Sequence, residues 1–362
     1  MQLNSLMASG LNNKVFKVPC INQLIQKSDG FKKKELATYK IDLQLLCGFG
    51  CRYCSSNAGL NIKFKKKTIE QFSLEQLGKS YTPKGNPELS IEYLNIISTL
   101  DNELSKRPKT YGSGETLMFS ELTDAFSPRL VELGYTRKAL ELIFEKTSFR
   151  VRILTKNACV GDEYWIEFFE QYRENVIVGM STGTTDEVWT KQVELGTSSP
   201  SDRFQALKNL QDAGIPTYGM LCPIFPTVVE KQKVDELVER INPDMVETIY
   251  AEPYNDRENW EIVRNGFTND PGQFDWFTEA YEKDIQEVIS AYHGDLYQQL
   301  LDHSNKNDWT HKLRYLLYEN EICSGDVDKF RGLVGILLQN KPNDSGYSKN
   351  KVLAKLQAEI GL

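Results

Sequence analysis

The chain has 362 residues, of which 40% are hydrophobic and 26% are charged, a composition typical of a globular protein with a sizeable core. Its formal net charge of −7 argues against a chain wrapped in nucleic acid, and no apolar run approaches the roughly 18 residues that span a bilayer. The N-terminus lacks a basic segment followed by an apolar one, and the seven cysteines are an odd number, so we expect a reducing, cytoplasmic location without membrane attachment.

Short apolar or β-branched runs alternate with amphipathic segments after an N-terminal extension of residues 1–39. The predicted strands are residues 40–46, 116–120, 150–155, 176–181, 217–223 and 245–252, and the predicted helices between them are 129–146, 163–172, 202–213 and 231–241. Such alternation predicts right-handed βαβ units and a parallel sheet. The expected fold class is therefore α/β, a partial (β/α)6 TIM-like barrel over residues 40–259, with ligands at the carboxyl ends of the strands.

The strand pattern stops at about Trp260. Apolar residues then recur at helical spacing, at Phe274, Phe277, Tyr281, Ile285, Val288 and Tyr292, and again at Leu313, Leu316 and Leu317. This spacing predicts that residues 260–362 form a helical C-terminal region packed on the barrel.

Three cysteines, Cys47, Cys51 and Cys54, directly follow the first predicted strand. Soft thiolates at this spacing converge on one cuboidal [4Fe-4S] cluster and leave one iron without a protein ligand. Gly48 and Gly50 relieve the backbone crowding that such a loop imposes. The pattern therefore predicts an open cluster, in which the free iron is a chemical site.

A zinc site and three unrelated buried cysteines are the structural alternatives. A closed zinc site needs a fourth ligand, usually a cysteine or histidine at short spacing. The histidines of the chain, His293, His303 and His311, lie far from the cysteine loop, and nothing in the sequence links Cys20 to it.

The cysteine spacing, with the aromatic Tyr53 directly before the last cysteine, resembles the motif of radical S-adenosylmethionine (radical SAM) enzymes. The resemblance implies a partial six-stranded α/β barrel and an open iron that chelates the amino and carboxylate groups of S-adenosylmethionine. It also implies a reducing partner such as flavodoxin or ferredoxin. An electron from the reduced cluster then cleaves the sulfonium to methionine and a 5′-deoxyadenosyl radical, which abstracts hydrogen from a substrate.

Further segments resemble the spore photoproduct lyase branch of that family, over about residues 40–255. They are Ser120-Glu121-Leu122-Thr123-Asp124-Ala125-Phe126, Ile153-Leu154-Thr155-Lys156, Gly179-Met180-Ser181-Thr182, Glu194-Leu195-Gly196-Thr197, Ser201-Asp202-Arg203-Phe204-Gln205-Ala206-Leu207, Ala213-Gly214-Ile215-Pro216 and Cys222-Pro223-Ile224. Their order and spacing carry the resemblance, since each alone is a weak signal.

Roles for five residues follow from this resemblance. Thr123 matches a hydroxyl that helps to hold the amino end of the cofactor, Lys156 matches a lysine that pairs with its carboxylate, and Ser181 matches a hydroxyl near its ribose or methionine moiety. Tyr53 matches the aromatic residue beside the adenine, and Glu121 is an alternative to Thr123 as the polar contact. Each has a structural alternative, such as a solvated lysine after a strand.

The chain departs from spore photoproduct lyase at two positions. That enzyme has a cysteine hydrogen-atom donor where this chain has Leu122, and a tyrosine after the third cluster cysteine where this chain has Ser55. The chain is therefore not expected to be that lyase. Cys222, at the end of the fifth predicted strand, is a candidate substitute donor, although a small buried hydrophobic role is the simpler alternative. Cys159 has a weaker case of the same kind.

The predicted function is a radical SAM enzyme that abstracts hydrogen from a substrate, with nucleic acid as the leading substrate class. The basic runs at residues 32–34 and 63–67 support that class weakly, because such runs are usually solvated faces. Modification of a small molecule or peptide is the alternative among enzymes. A non-catalytic iron–sulfur or zinc protein with a structural or redox-sensing role is the alternative of another class.

Overall fold

Strands and helices alternate along the chain in the computed structural model, which describes residues 14–21, 23–58, 60–120 and 122–339. The strands in this part of the chain are β1 (Val15–Val18), β2 (Gln26–Lys27), β3 (Tyr39–Ile41), β4 (Gln44–Cys47), β5 (Ser90–Tyr93), β6 (Thr116–Phe119), β7 (Arg150–Thr155), β8 (Val176–Ser181), β9 (Thr217–Ile224), β10 (Ile249–Pro253), β11 (Leu313–Tyr318) and β12 (Ile336–Gln339). The helices are α1 (Asp29–Lys33), α2 (Ser55–Ala58), α3 (Leu60–Leu77), α4 (Ile96–Leu104), α5 (Pro128–Glu132), α6 (Tyr135–Lys146), α7 (Glu163–Glu170), α8 (Glu187–Val193), α9 (Pro200–Asp212), α10 (Pro226–Glu230), α11 (Val234–Ile241), α12 (Trp260–Arg264), α13 (Pro271–Phe277), α14 (Gln286–Lys306) and α15 (Val327–Phe330).

The main sheet has nine strands in the order β12-β11-β10-β9-β8-β7-β6-β3-β2. Every neighbouring pair from β3 to β12 is parallel, and only β2 is antiparallel to its neighbour. The strands from β6 to β12 follow one another without a reversal of direction across the sheet. Because parallel crossovers are right-handed, this order keeps the connecting helices on one face, as in a barrel and not as in a doubly wound sheet. The predicted α/β class with a parallel, barrel-type sheet is confirmed.

The first predicted strand, residues 40–46, is divided in two. Its first part, β3, pairs with β6 in the main sheet. Its second part, β4, joins a separate sheet of order β1-β5-β4, in which β4 and β5 are antiparallel. The run Leu43-Gln44-Leu45-Leu46 is buried throughout, and a run buried on both faces gives no alternation that would show where the chain changes sheet.

The helical expectation for residues 260–362 is correct for the segments α12 to α14 and wrong for two later segments. Leu313, Leu316 and Leu317 lie in β11, and β12 follows it, so the main sheet continues beyond the six predicted strands. A short apolar run has no unique period, which is why the spacing of these leucines misled. Residues 340–362 lie outside the described part of the chain. No helix of the described residues is long and apolar enough to cross a membrane.

The two faces of the main sheet are covered by different parts of the chain. One face packs against the helices in the large hydrophobic core. The other face, here called the inner face, forms a smaller core with the segment that follows α1, and its buried members are Leu36, Ala37, Met118, Ile177, Tyr218, Met220, Tyr250 and Leu316. Part of the predicted N-terminal extension therefore covers the inner face of the sheet.

Candidate functional site

Polar side chains end the inner face at the carboxyl ends of four neighbouring strands. Side chains alternate between the faces of a strand, and Ile177, Met220, Tyr250 and Leu316 belong to the inner core. The same alternation places Ser181, Cys222, Glu252 and Tyr318 on that face, nearer the strand ends. This change from apolar to polar occurs where barrel folds bind ligands.

The cysteine loop begins at the end of β4 and is held by a segment that follows α8. Cys51 forms an antiparallel bridge with Glu194. The Arg52 N–H donates to the Val193 carbonyl at 2.8 Å, and the Gly196 N–H donates to the Phe49 carbonyl at 2.8 Å. Gly50 has a positive φ of 71°, and a Cβ there would lie 3.3 Å from the Leu195 Cβ. The loop therefore needs glycine at this position for both its backbone angle and its close approach to the clamping segment.

The three thiols of the loop are free and lie within electrostatic reach of one another. Burial raises the pKa of Cys47 to about 12 and also raises the pKa of Cys51 and Cys54. In the described residues, no three His, Cys, Asp or Glu side chains converge on a single metal ion. A four-iron cluster does not require such convergence, because each thiolate binds a different iron. Soft thiols that lose protons on binding iron fit such a group.

Lys156, directly after β7, connects the ends of three strands. Its Nζ donates to Ser181 Oγ at 2.9 Å and to the Cys222 carbonyl at 3.3 Å, and it lies 3.0 Å from Glu194 Oε1. Its backbone N–H donates to Asp124 Oδ2 at 2.8 Å. The structure thus brings together Lys156, Ser181 and Cys222, which the sequence proposed separately, and Asp124 fixes the backbone from which the lysine extends.

Glu194 is the centre of the charged network around Lys156. It forms an ion pair with Arg203, whose side chain is 1% exposed, and it accepts a hydrogen bond from the Tyr53 hydroxyl. Burial would raise the pKa of Glu194, but Arg203 and Lys156 lower it to about 2. The carboxylate is therefore ionised at neutral pH. Lys156 Nζ also lies 5.7 Å from the centroid of the Tyr53 ring, so this aromatic residue of the cysteine loop faces the predicted cofactor lysine.

Thr123 lies outside this network. Its hydroxyl donates to Asp42 Oδ1 at 3.0 Å, and its backbone N–H donates to the same oxygen at 3.1 Å. Asp42 thereby holds the turn after β6 against the end of β3. Glu121 lies outside the described residues, so its predicted role stays a prediction.

Cys222 lies at the junction between Lys156 and a second polar group. Its carbonyl accepts a hydrogen bond from Ser181 Oγ at 2.9 Å, and its thiol lies 3.4 Å from Glu252 Oε2. Burial and the Glu252 carboxylate raise the pKa of the thiol well above its ordinary value. The Cys222 residue is half-buried and its thiol faces a carboxylate, which differs from the purely hydrophobic alternative. Cys159 is in a separate turn after β7, where burial also raises its pKa.

Sequence reasoning gave no role to Glu194, Arg203, Asp42 or Glu252. The first two lie in segments that carried the family resemblance, and Glu252 was the last residue of a predicted strand. A charged residue that ends an apolar strand was the available signal for Glu252. Nothing in the sequence indicates that Glu194 and Arg203 form a buried ion pair.

No protein-family model matches the chain. An uncharacterised protein of Acidianus two-tailed virus is 23% identical over 199 residues, which are 54% of this chain and 64% of the viral protein. An uncharacterised protein of Methanocaldococcus jannaschii is 24% identical over 257 residues, which are 70% of this chain and 86% of that protein. The chain thus spans less than two thirds of the length of the viral relative.

Among solved structures, a point mutant of spore photoproduct lyase is 15% identical with a TM-score of 0.48, over 81% of this chain and 78% of that one. Another spore photoproduct lyase mutant, with bound AdoMet and dinucleoside spore photoproduct, is 16% identical with a TM-score of 0.42, over 70% and 65% of the two chains. The protein anSMEcpe, with bound AdoMet and a peptide, is 12% identical with a TM-score of 0.34, over 67% and 59%. Each of these three structures is less than 20% identical to the chain, with a TM-score below 0.5.

Proposed function

We propose that the chain is a radical SAM enzyme. Cys47, Cys51 and Cys54 would hold a [4Fe-4S] cluster, and Lys156 and Ser181 would hold the carboxylate and the methionine or ribose part of S-adenosylmethionine. When bound, the reduced cluster would supply the electron that cleaves the sulfonium of S-adenosylmethionine, for hydrogen abstraction from a substrate. The carrying observation is that the segment clamping the cysteine loop also supplies Glu194, the partner of Lys156.

The residues of the chain have distinct tasks in this proposal. Lys156 provides a mobile ammonium with three donors, which suits a carboxylate. Asp124 and Ser181 position that ammonium through the backbone and side chain of Lys156. Tyr53, on the cysteine loop, provides an aromatic face beside the ammonium. Thr123 is the remaining predicted cofactor contact, and its hydroxyl would have to leave Asp42 to donate to a ligand.

The decisive experiment is anaerobic reconstitution with iron and sulfide, followed by dithionite reduction with S-adenosylmethionine. We expect a four-iron cluster, an electron paramagnetic resonance spectrum that changes when S-adenosylmethionine is added, and the products 5′-deoxyadenosine and methionine. Cys51→Ala should abolish both products and lower the iron content. Cys323→Ala, at a free cysteine outside the loop, is the matched control and should keep both.

If the wild-type protein carries a full four-iron cluster and forms neither product, the proposal that the chain is a radical SAM enzyme is contradicted. An electron paramagnetic resonance spectrum that does not respond to S-adenosylmethionine would instead favour a closed cluster with a structural or redox-sensing role. Dithionite supplies the electron in these assays. As the physiological electron donor we propose a reducing partner such as flavodoxin or ferredoxin.

Nucleic acid is the substrate class that we propose for this enzyme, with a small molecule or peptide as the alternative. Lys32 and Lys33 are exposed at the end of α1, and the neighbouring Lys34 reaches the carboxyl end of β11. Lys66 and Lys67 are exposed on α3, the long helix that follows the cysteine loop. Filter binding to single-stranded and double-stranded DNA at two salt concentrations tests this class, because phosphate contacts weaken with salt. An affinity that does not change with salt would contradict it.

A further inference from the structure

A second group of charged and polar side chains lies at the ends of β10 and β11, beyond the Lys156–Glu194 network. Its members are Lys34, after α1, Glu252 on β10, Arg257 after β10, and Tyr318 at the end of β11. Lys34 Nζ donates to the Tyr318 hydroxyl oxygen at 2.6 Å. The Lys34 ammonium is 5.1 Å and the Arg257 guanidinium 4.8 Å from the centroid of the Tyr318 ring. Two cations from distant parts of the chain thus meet on one phenol.

Both cations keep hydrogen-bond donors available. An ammonium has three donors, and within the described residues Lys34 Nζ makes one hydrogen bond, to Tyr318. A guanidinium has five donors. That of Arg257 contacts the Tyr318 side chain and lies 4.0 Å from Glu252, which is beyond hydrogen-bond distance. The Arg257 side chain is 29% exposed, so its donors can be reached from outside the fold. Glu252 faces both cations and Glu321 also faces Arg257, so carboxylates of the chain already offset part of the cost of bringing two like charges together. A bound phosphate would add further negative charge beside the same two cations.

Glu252 gives this group an acceptor beside its cations. Glu252 Oε1 accepts a hydrogen bond from Asn255 Nδ2 at 2.8 Å, and Oε2 faces the Cys222 thiol at 3.4 Å. Because the Cys222 carbonyl accepts from Lys156 and Ser181, the group adjoins the residues proposed to hold the cofactor. A ligand bound here would lie next to them.

We propose that Lys34 and Arg257 bind a phosphate group of the substrate, while Glu252 accepts a hydrogen bond from a donor on the same molecule. This inference rests on the proposed function, because it takes the neighbouring residues Lys156 and Ser181 as the binding site of the cofactor. A phosphate monoester carries close to two negative charges and three acceptor oxygens, which match two separate cations better than a carboxylate does. A guanidinium binds such oxygens in a planar fork, and an ammonium binds them as a point charge.

The test is equilibrium binding to the full, reconstituted chain without reductant, measured by calorimetry. The probes are inorganic phosphate, the nucleoside 5′-monophosphates, the matching nucleosides and a short single-stranded oligonucleotide. We expect a nucleoside monophosphate to bind at least about tenfold more tightly than its nucleoside, because charge-assisted hydrogen bonds are strong. Tighter binding of the oligonucleotide than of the monophosphates identifies a phosphodiester as the ligand, and the reverse identifies a terminal phosphate.

Variants locate the site. Arg257→Gln and Lys34→Gln should each weaken binding of the monophosphate about tenfold or more, and should leave binding of the nucleoside unchanged. Arg257→Lys should retain part of the affinity because it keeps the charge. Arg150→Gln, at the opposite end of the sheet in an exposed pair with Glu247, is the matched control. The comparison of monophosphate with nucleoside in the wild type needs no variant and holds even where a variant fails to fold.

The proposal is overturned if nucleosides bind as tightly as their monophosphates and inorganic phosphate does not bind. It is also overturned if the folded Arg257→Gln variant binds the monophosphate like the wild type. Formation of 5′-deoxyadenosine is measured separately on the same preparations. Cleavage of S-adenosylmethionine without a preference for phosphate contradicts this inference alone. A preference for phosphate without cleavage contradicts the proposed function alone.

Discussion

Lys156 Nζ and Glu194 Oε1 are 3.0 Å apart, and this ion pair joins the end of β7 to the segment that clamps the cysteine loop. Glu194 also pairs with Arg203, which lies deeper in the fold. The lysine can therefore turn from Glu194 towards a ligand carboxylate while Arg203 still compensates the glutamate. Such an exchange avoids the energetic penalty of leaving a buried charge unpaired.

Lys156→Ala should weaken binding of S-adenosylmethionine by about tenfold or more, because it removes a charge-assisted hydrogen bond worth roughly 1.5–3 kcal/mol. Anaerobic calorimetry on the reconstituted protein measures this affinity. The iron content should stay at the wild-type level, since the cysteines are unchanged. Lys208→Ala, in an exposed pair on α9, is the control. An affinity equal to that of the wild type would show that Lys156 serves the fold and not the cofactor.

Arg203→Met should lower the free energy of unfolding by about 3–5 kcal/mol, because it leaves Glu194 with one cation instead of two in a buried setting. Urea denaturation followed by circular dichroism measures the change. The matched comparison is the Lys208–Asp212 pair, in which both side chains are 62% exposed. Removing that pair should cost less than about 1 kcal/mol. An equal loss of free energy of unfolding for the two pairs would contradict the claim that burial makes the Glu194–Arg203 pair costly to break.

The local hydrophobic pattern of the sequence was enough to predict those strands whose residues form a continuous apolar or β-branched run. The predicted strands at 150–155 and 176–181 are β7 and β8 without a change of boundary, because both runs are rich in β-branched or apolar residues. Lys156 and Ser181 come together because both lie where adjacent parallel strands end.

The sequence pattern could not predict contacts between distant parts of the chain. Lys34 and Tyr318 are separated by 284 positions, and no periodic signal connects them. The Glu194–Arg203 pair is close in sequence, but two charged residues in a polar stretch usually indicate a solvated surface. Their burial depends on how α8 and α9 pack around β8, which only the fold determines.

Gly183→Ala should lower the free energy of unfolding by at least about 3 kcal/mol, because overpacking typically costs about 1–3 kcal/mol and occasionally more. A Cβ at Gly183 would lie 1.7 Å from the Pro223 carbonyl oxygen, so the backbone beside Cys222 would have to move. Urea denaturation measures the loss. Gly30→Ala in α1 is the control, because a Cβ there meets nothing within 4 Å. It should leave stability unchanged or raise it by roughly 0.5–1 kcal/mol. A Gly183→Ala protein as stable as the Gly30→Ala protein would contradict this packing.

The Cys222 thiol should stay protonated from pH 7 to pH 9. Burial and the Glu252 carboxylate both raise its pKa well above the ordinary value, since each disfavours the thiolate. Only the thiolate is nucleophilic, so alkylation of Cys222 by iodoacetamide should be at least about tenfold slower than in the denatured chain. Mass spectrometry of the labelled peptide measures the rate at each pH.

Glu252→Gln sharpens this test because it removes the charge but keeps the shape of the side chain. The sign follows from the cause: without the carboxylate the pKa of Cys222 falls, the thiolate fraction at pH 9 rises, and alkylation becomes faster. A variant rate equal to the wild-type rate at pH 9 would mean that burial alone holds the proton. A wild-type rate that matches the denatured chain would contradict the raised pKa, and Cys222 would then lose the S–H bond that a hydrogen-atom donor requires.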